Sequence, residues 1–391
     1  MEIAKANYSL SELVKYFLKL GTLGFGGPVA LIGYMHRDLV EERQWISEDE
    51  YREGLALAQL APGPLAAQLG IYLGYVHHGV WGATLTGLAF VLPSFIMVVL
   101  LGIAYKLYGG LFWMQAVFYG VGSAVIGIIS LSCYKLTIKS VSKLEKEAMK
   151  DRWLLWVFFI VMAVVTGLTE REEVWLFIFS GLIYMVVKAP PKWLFKKQTT
   201  LSVVLLAGSG FWQYEPGQLE QLGWFFTKAG AFVFGSGLAI IPFLQAGVVD
   251  QMGWLNEHQF LDSVAVAMIT PGPVVITVAF IGFLVSGFAG AVVAAAGVFF
   301  PCYLFTVLPA PYFKKIAKNK SVKVFVDGIT AAVVGALVGS VFVIATRAIV
   351  DLPSAIIAVV SILALIYVKK LQEPYLILCA AIVGFLLKTY F

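Results

Sequence analysis

The chain carries one gapless pattern twice, and that repeat limits its possible folds more than any other feature. With Lys19 laid on Lys228, the match runs unbroken to Pro64 on Pro273, and fourteen of the forty-six aligned positions are identical. Gly21 falls on Gly230, Phe25-Gly26 on Phe234-Gly235, Trp45 on Trp254, Glu48 on Glu257, and Pro62-Gly63-Pro64 on Pro271-Gly272-Pro273. After a slip of one residue, Pro93 meets Pro301, Gly120 meets Gly328 and Gly127 meets Gly335. Apolar composition alone aligns Leu with Val; it does not align a Trp, a Glu and a PGP triplet in one register. The chain therefore reads as a tandem duplication, with repeats over 1–198 and 223–391 and a connector over 199–222.

Each repeat is too apolar for water. The 391 residues are 60% hydrophobic and 13% charged, against roughly 45–50% and about 25% in soluble domains. An all-α polytopic membrane protein is expected, because helices satisfy their own backbone groups in hydrocarbon. Disorder, nucleic-acid binding and a disulfide scaffold are excluded. Cys133, Cys302 and Cys379 lie far apart inside apolar runs, and His36, His77, His78 and His258 build no metal motif. No metal and no cofactor is expected. Residues 1–16 do not read as a signal peptide; Tyr8, Leu10, Leu13, Val14 and Phe17 recur at helical spacing and predict an amphipathic helix at the interface.

Loop charge tells how the repeats point, since Lys and Arg in short loops stay cytoplasmic. After the apolar stretch Trp113–Ser132 come Lys135, Lys139, Lys143, Lys146, Lys150 and Arg152; before it stands only Lys106. In the second repeat the asymmetry is reversed. Lys314, Lys315, Lys318, Lys320 and Lys323 precede the matching stretch, and Arg347 and Asp351 follow it. Two inverted-topology repeats are predicted, an architecture that suits alternating access around a midplane site. Inverted repeats also build channels.

Five apolar stretches per repeat are long enough to cross, in the first around 17–35, 80–104, 112–133, 153–168 and 174–188. A sixth, Gly54–Tyr75, is interrupted by Pro62-Gly63-Pro64, which no continuous helix tolerates. It forms two half-helices, as a re-entrant hairpin or as a broken span. Ten transmembrane helices with two PGP hairpins are favoured. Thirteen is the alternative, with Leu201–Trp212 as an added crossing. Lys5, Lys15 and Lys19 weigh against ten, which puts them outside.

The breaks point to chemistry. Irregular backbone at membrane depth persists where it is buried in protein or lines a wet cavity. Gly26 and Gly27 mark one break and Gly235, Ser236 and Gly237 its counterpart, beside the two PGP triplets. The amides of Leu65–Ala67 and Val274–Ile276 would point unpaired into the PGP breaks, an anion site needing no basic side chain. The alternative is a kink made for packing. Lys19 and Lys228 are either cationic partners for an anion or snorkelling interfacial lysines. Gln59 and Gln68, with Thr270 and Thr277, offer neutral donors. Glu53 and Asp262 are equivalent carboxylates, read as coupling groups or as solvated loop ends. Trp45 and Trp254 read as interfacial, each before a helix N-cap.

These strings resemble the chromate ion transporter family in its long two-domain form. The first repeat holds FLKLGTLGFGGPVALI, QWISEDEYREGLALAQLAPGP and LGYVHHGVWGATLTGLAFVLPSF. The second holds FTKAGAFVFGSGLAIIP, GWLNEHQFLDSVAVAMITPGPVVITVAFIGFLVSGFAG and FFPCYLF. Leu31 stands where the family often has His, and Ser236 replaces a Gly. The resemblance implies a multi-pass plasma-membrane protein that exports chromate, a tetrahedral dianion like sulfate. Spacing alone supports an oxyanion transporter, with an anion channel or a sulfate transporter as rivals. An enzyme reading fails for want of any flavin, nicotinamide, haem or iron–sulfur signature. Expected partners are chromate or a similar oxyanion and the lipid bilayer, with a homodimer left open.

Overall fold

The computed structural model describes residues 8–25, 27–108, 111–141, 152–169, 174–190, 217–232, 240–313, 319–349, 351–368, 371 and 373–390, and all regular structure among them is helical. The first repeat contributes α1 (Leu10–Leu23), α2 (Gly27–Met35), α3 (Glu48–Leu60), α4 (Leu65–Tyr108), α5 (Phe112–Ser140), α6 (Trp153–Thr169) and α7 (Val174–Lys188). The second contributes α8 (Gln218–Phe232), α9 (Ile240–Gln245), α10 (Glu257–Ile269), α11 (Thr277–Val307), α12 (Lys320–Ala348), α13 (Leu352–Tyr367) and α14 (Glu373–Tyr390).

The duplication extends to local detail. Both α2 and α9 widen into π-helical stretches, His36–Glu42 and Ala246–Gln251. Capping boxes open α3 (Ser47 with Glu50) and α10 (Asn256 with Gln259), so the expected N-caps after Trp45 and Trp254 form. Long α4 and α11 each break at a left-handed glycine, Gly79 (φ 59°) and Gly287 (φ 63°). Each therefore divides into a short arm (65–78, 277–285) and a long one (80–108, 288–307).

Side-chain pairing settles the form of the first PGP segment. Gln68 Nε2 donates to the Pro62 carbonyl at 2.7 Å, Tyr72 Oη to Glu53 at 3.3 Å, and His77 Nε2 meets Glu50 at 3.1 Å. These pairs step apart in opposite directions from the triplet, so α3 and the short arm of α4 run antiparallel. The segment is a helical hairpin with Pro62-Gly63-Pro64 at its tip. A broken through-span would put Glu50 and His77 at opposite ends.

The first apolar stretch, 17–35, departs from the expected crossing. Gly24 packs against Leu31, the Arg43 guanidinium lies 5.3 Å from the Tyr16 ring, and Tyr8 stacks on Trp45 at 4.8 Å. So α2 and its π-helical extension return along α1 to the end where α1 began. Fourteen- and nine-residue helices rise only about 21 and 14 Å at 1.5 Å per residue, too little to span. The apolar face that the periodicity of α1 marks packs on protein. Leu13, Tyr16, Phe17 and Leu20 are buried, Phe17 lying against Phe90 and Gly70 of α4. Its start is fixed by Ser9, whose amide and hydroxyl hold the Glu12 carboxyl below the ordinary glutamate range. Tyr8 Oη also meets His77 Nδ1 at 2.8 Å, which places Tyr8, Trp45, Glu50 and His77 at one end of the molecule. We call it the Trp45 end.

Among the described residues, five helices are long and apolar enough to cross a membrane, and three shorter apolar helices join them. They are the long arms of α4 and α11 with α5, α6, α7, α12, α13 and α14, four per repeat. The repeats interlock through them. Helix α5 packs on α13 and α14, while α12 packs on α6 and α7, the reciprocal pattern of an isologous interface. Small residues bring backbones together there: Gly120 meets Ala380, and Gly335 meets Phe159. The long arms of α4 and α11 run antiparallel, with Thr84 hydrogen-bonded to Tyr303 at 2.8 Å and Phe95 beside Phe288 at 6.2 Å.

Candidate functional site

Each PGP tip packs on the other repeat. The Gly272 amide donates to the Gly24 carbonyl at 2.9 Å. A Cβ on Gly272 would come within 2.0 Å of Ser94 Oγ, and one on Gly63 within 3.1 Å of Cys302 Cβ. Ser94 and Cys302 are equivalent residues, each following a paired proline, Pro93 or Pro301. Ser94 Oγ is 3.3 Å from the Gly21 carbonyl, tying the glycine break of α1 to α4. Both glycines hold backbone that L side chains rarely adopt, Gly63 at φ 137° and Gly272 at φ 99°. The described breaks thus meet deep in the protein, between the repeats.

The amides past each triplet are not equally free. In α4 the first intrahelical bond is Gln68 N–H to the Pro64 carbonyl at 3.0 Å, so Leu65, Ala66 and Ala67 lie ahead of the ladder. After the second triplet the chain takes a 3₁₀ turn, and the Ile276 amide bonds the Pro273 carbonyl at 2.9 Å. Ile276 therefore leaves the expected set of free donors. Thr270 and Thr277 leave it too, since their hydroxyls donate to Val266 (2.6 Å) and Val274 (2.9 Å). Gln59 is exposed. Gln68 is wholly buried, and its Oε1 has no hydrogen-bond partner. An orphaned buried oxygen is costly unless water or a ligand reaches it.

The two lysines part company. Lys19 lines a cavity of about 210 Å³ with Tyr16, Arg37, Asp38 and Arg43. Lys228 leans over Trp224, 5.9 Å from the ring centre. The two carboxylates also differ. Glu53 accepts from Tyr72, whereas Asp262 accepts from Tyr105 at 2.6 Å and is 8% exposed, a buried group rather than a solvated loop end. Gly27 begins α2. Gly26, Gly235, Ser236 and Gly237 lie outside the described residues.

Asp262 lines a second cavity of about 840 Å³ together with Lys106, Tyr105, Glu257, His258, Arg347 and Lys388. Arg347 bridges Asp250 at 2.8 Å and Glu257 at 3.0 Å. Tyr119 donates to Asp351, with Lys388 4.5 Å from its ring centre. These groups mark the opposite end, the Trp254 end. Sequence reasoning missed Arg347, Tyr105, Ser94 and the Tyr16–Arg43 group. Ser94 was detectable in principle, because its register after Pro93 matches that of Cys302 after Pro301. The rest depend on contacts between distant helices. Among the described residues no group of three or more His, Cys, Asp or Glu is placed to hold a metal ion.

A polytopic helical membrane protein, duplicated and interlocked, with irregular glycine and proline tips gathered between its repeats, has the build of a membrane transporter. The chain belongs to the chromate transporter family, whose model matches residues 11–185 and 220–385. It is 60% identical over 380 residues to a chromate transport protein of Cupriavidus metallidurans, covering 96% of this chain and 93% of that one. A probable chromate transport protein of Synechococcus elongatus is 58% identical over 382 residues, 96% and 95% of the two chains. A chromate transport protein of Pseudomonas aeruginosa is 31% identical over 396 residues, 97% and 92%. No solved structure matches the chain.

Proposed function

We propose that this protein exports chromate, or a sulfate-like oxyanion of the same shape, across the plasma membrane by alternating access between inverted repeats. The observation that carries the reading is the reciprocal seating of the PGP tips, Gly272 on Gly24 and Ser94, Gly63 on Cys302. Donors held at that seam change their surroundings when one repeat rocks against the other, which is what an alternating site requires. The printed names of the relatives support chromate as the anion. In the same reading, Gly63, Leu65–Ala67, Gln68, Gly272 and Lys19 serve the anion, and Asp262 couples its movement to protons.

The proposed topology follows from the two ends. Antiparallel long arms of α4 and α11 support inversion. Ser321 Oγ donates to the Ala189 carbonyl at 2.8 Å, at the Trp45 end. Helix α8 runs beside α11, Gly223 by Val293 and Gly230 by Val298, and so starts at the Trp254 end. The chain thus changes ends between Ala189 and Gln218, giving the odd number of passages that inversion needs. Lys135, Lys188 and Lys323 mark the Trp45 end as cytoplasmic by the loop-charge rule. With α1 and α2 folded back, Lys15 and Lys19 fall on the cytoplasmic side, which removes the charge objection to the hairpin arrangement. Eight of the described helices then cross, four in each repeat, with four re-entrant segments among them, and the change of ends between Ala189 and Gln218 makes the total odd. A cysteine at Ser47 is expected to label only from the cytoplasm and one at Asn256 only from outside. The thirteen-crossing arrangement requires the opposite for both.

The functional test is flux of labelled chromate and sulfate through purified protein in liposomes, with and without a proton gradient. Saturable, gradient-stimulated movement is expected. A large anion current with no effect of the gradient would make the protein a channel.

A further inference from the structure

We infer that the first repeat alone carries a loading subsite for the oxyanion, open at the Trp45 end and built from Tyr16, Lys19 and Arg43. This deepens the transport reading above and rests on it.

The cavity of about 210 Å³ lies between α1 and the returning α2 with its π-helical extension and reaches Gly24, whose carbonyl holds the Gly272 amide. It therefore joins the Trp45 end to the seam between the repeats. Two of its cations have no carboxylate within salt-bridge distance among the described residues. Lys19 is one. Arg43 is the other, its guanidinium lying 5.3 Å from the Tyr16 ring centre and 4.6 Å from that of Trp45. The third, Arg37, is already held by Asp38 at 2.8 Å and Glu42 at 3.5 Å.

The second observation is independent of the charges. Tyr16 is 5% exposed, lines this cavity, and its hydroxyl makes no hydrogen bond. The Asp38 carboxylate stands beside that hydroxyl and is engaged by Arg37 at 2.8 Å. A buried O–H that makes no hydrogen bond, beside two cations without a carboxylate partner, is the complement of a tetrahedral dianion: one neutral donor and two charged ones. The cavity also has the size for it, since a chromate or sulfate ion fills well under half of such a volume.

The comparison with the second repeat excludes a merely architectural feature of the hairpin. Register places Phe225 at the position of Tyr16, Phe243 at Tyr34, Ala246 at Arg37, Gly247 at Asp38 and Met252 at Arg43. There Phe225 stacks on Phe243 at 5.3 Å, and its ring lies against the Gly247 backbone. Aromatic carbon fills the place where the first repeat keeps a charged cavity. Lys228 is the one cation of the set retained, and it leans on Trp224. One repeat keeps a cationic cavity at this place and the other fills it with aromatic carbon. The two faces of the transporter are therefore unequal, and the anion is captured at the Trp45 end only.

The test is side-specific kinetics with labelled chromate, and with labelled sulfate in parallel, in liposomes holding the protein in one orientation. Arg43→Gln is expected to raise KM about tenfold for anion presented at the Trp45 end, and Tyr16→Phe severalfold, with KM from the other end unchanged. Arg43→Lys, which keeps the charge and loses the planar stacking, is expected to stay near wild type. Thermal stability of each purified variant shows whether it is folded. KM unchanged from both ends, or raised equally from both, overturns the subsite while the transport reading stands. So does an Arg43→Lys variant as impaired as Arg43→Gln, since stacking then matters and charge does not. Wild-type protein that neither binds nor moves either anion overturns the transport reading, and the subsite with it.

Discussion

Gly272→Ala is expected to cut transport severely, and by more than Gly63→Ala. Two costs coincide at Gly272. Its φ of 99° is one that alanine avoids, at about 1–3 kcal/mol for a strained non-glycine residue. The added methyl would also sit 2.0 Å from Ser94 Oγ, so either the hydroxyl or the tip must move. Moving the tip breaks the Gly272–Gly24 bond that seats the second hairpin on the first repeat. At Gly63 the nearest atom is the end of a side chain, Gln68 Nε2 at 2.9 Å, a milder clash whose relief costs the Gln68–Pro62 hydrogen bond. Loss should therefore be graded: partial for Gly63→Ala, severe for Gly272→Ala, complete when either triplet becomes three alanines. Three alanines permit a continuous helix, which erases the hairpin tip while insertion into the membrane persists. Transport normalised to folded protein is the measurement. Adding Ser94→Gly to Gly272→Ala should recover part of the activity by making room for the methyl. If triple-alanine variants move chromate at the wild-type rate, the tips have no part in the mechanism.

How far the sequence disclosed this arrangement depended on whether a feature was local. The PGP tips, the capping boxes after Trp45 and Trp254, and the duplication were all legible, because proline, glycine and capping chemistry act within a few residues. The fold-back of 17–35 was not. Its apolar run has the length of a span, and the break at Gly24 and beyond resembles an ordinary flexible kink in a crossing helix. What turns the chain back is tertiary: Tyr8 on Trp45, Arg43 over Tyr16, and the buried face of α1 against Phe90. Sequence symmetry also suggested equal roles for Lys19 and Lys228. Their neighbours differ, charged around Lys19 and aromatic around Lys228, and it is the neighbours that decide whether a lysine faces a cavity or leans on a ring. The same holds for Glu53 and Asp262. Equivalent positions in a duplicated chain share backbone, while burial is set by whatever the opposite repeat places there.

Asp262→Asn is expected to uncouple transport without closing the pathway. Asp262 is 8% exposed in the wall of the larger cavity, and Tyr105 is the hydrogen-bond donor to its carboxylate at 2.6 Å. Tyr105 sits on the long arm of α4, whereas Asp262 sits on the second re-entrant hairpin, so this bond ties the two repeats together. An amide keeps the shape and still accepts from Tyr105 through its carbonyl, so folding and the resting contact should survive. What it loses is the capacity to take up and release a proton as the repeats move. Concentrative movement of chromate under an imposed proton gradient should fall to background, while exchange of labelled for unlabelled chromate at equal pH continues near the wild-type rate. Tyr105→Phe should act in a different way. It leaves the carboxylate without its partner in the Asp262-bound state, weakening the tie between repeats and lowering the exchange rate itself. The corresponding change at the other end, Glu53→Gln, alters a carboxylate that accepts from Tyr72 of its own hairpin at 3.3 Å, and should disturb the gradient response far less. Gradient-driven accumulation that persists undiminished in Asp262→Asn would remove this carboxylate from the coupling step.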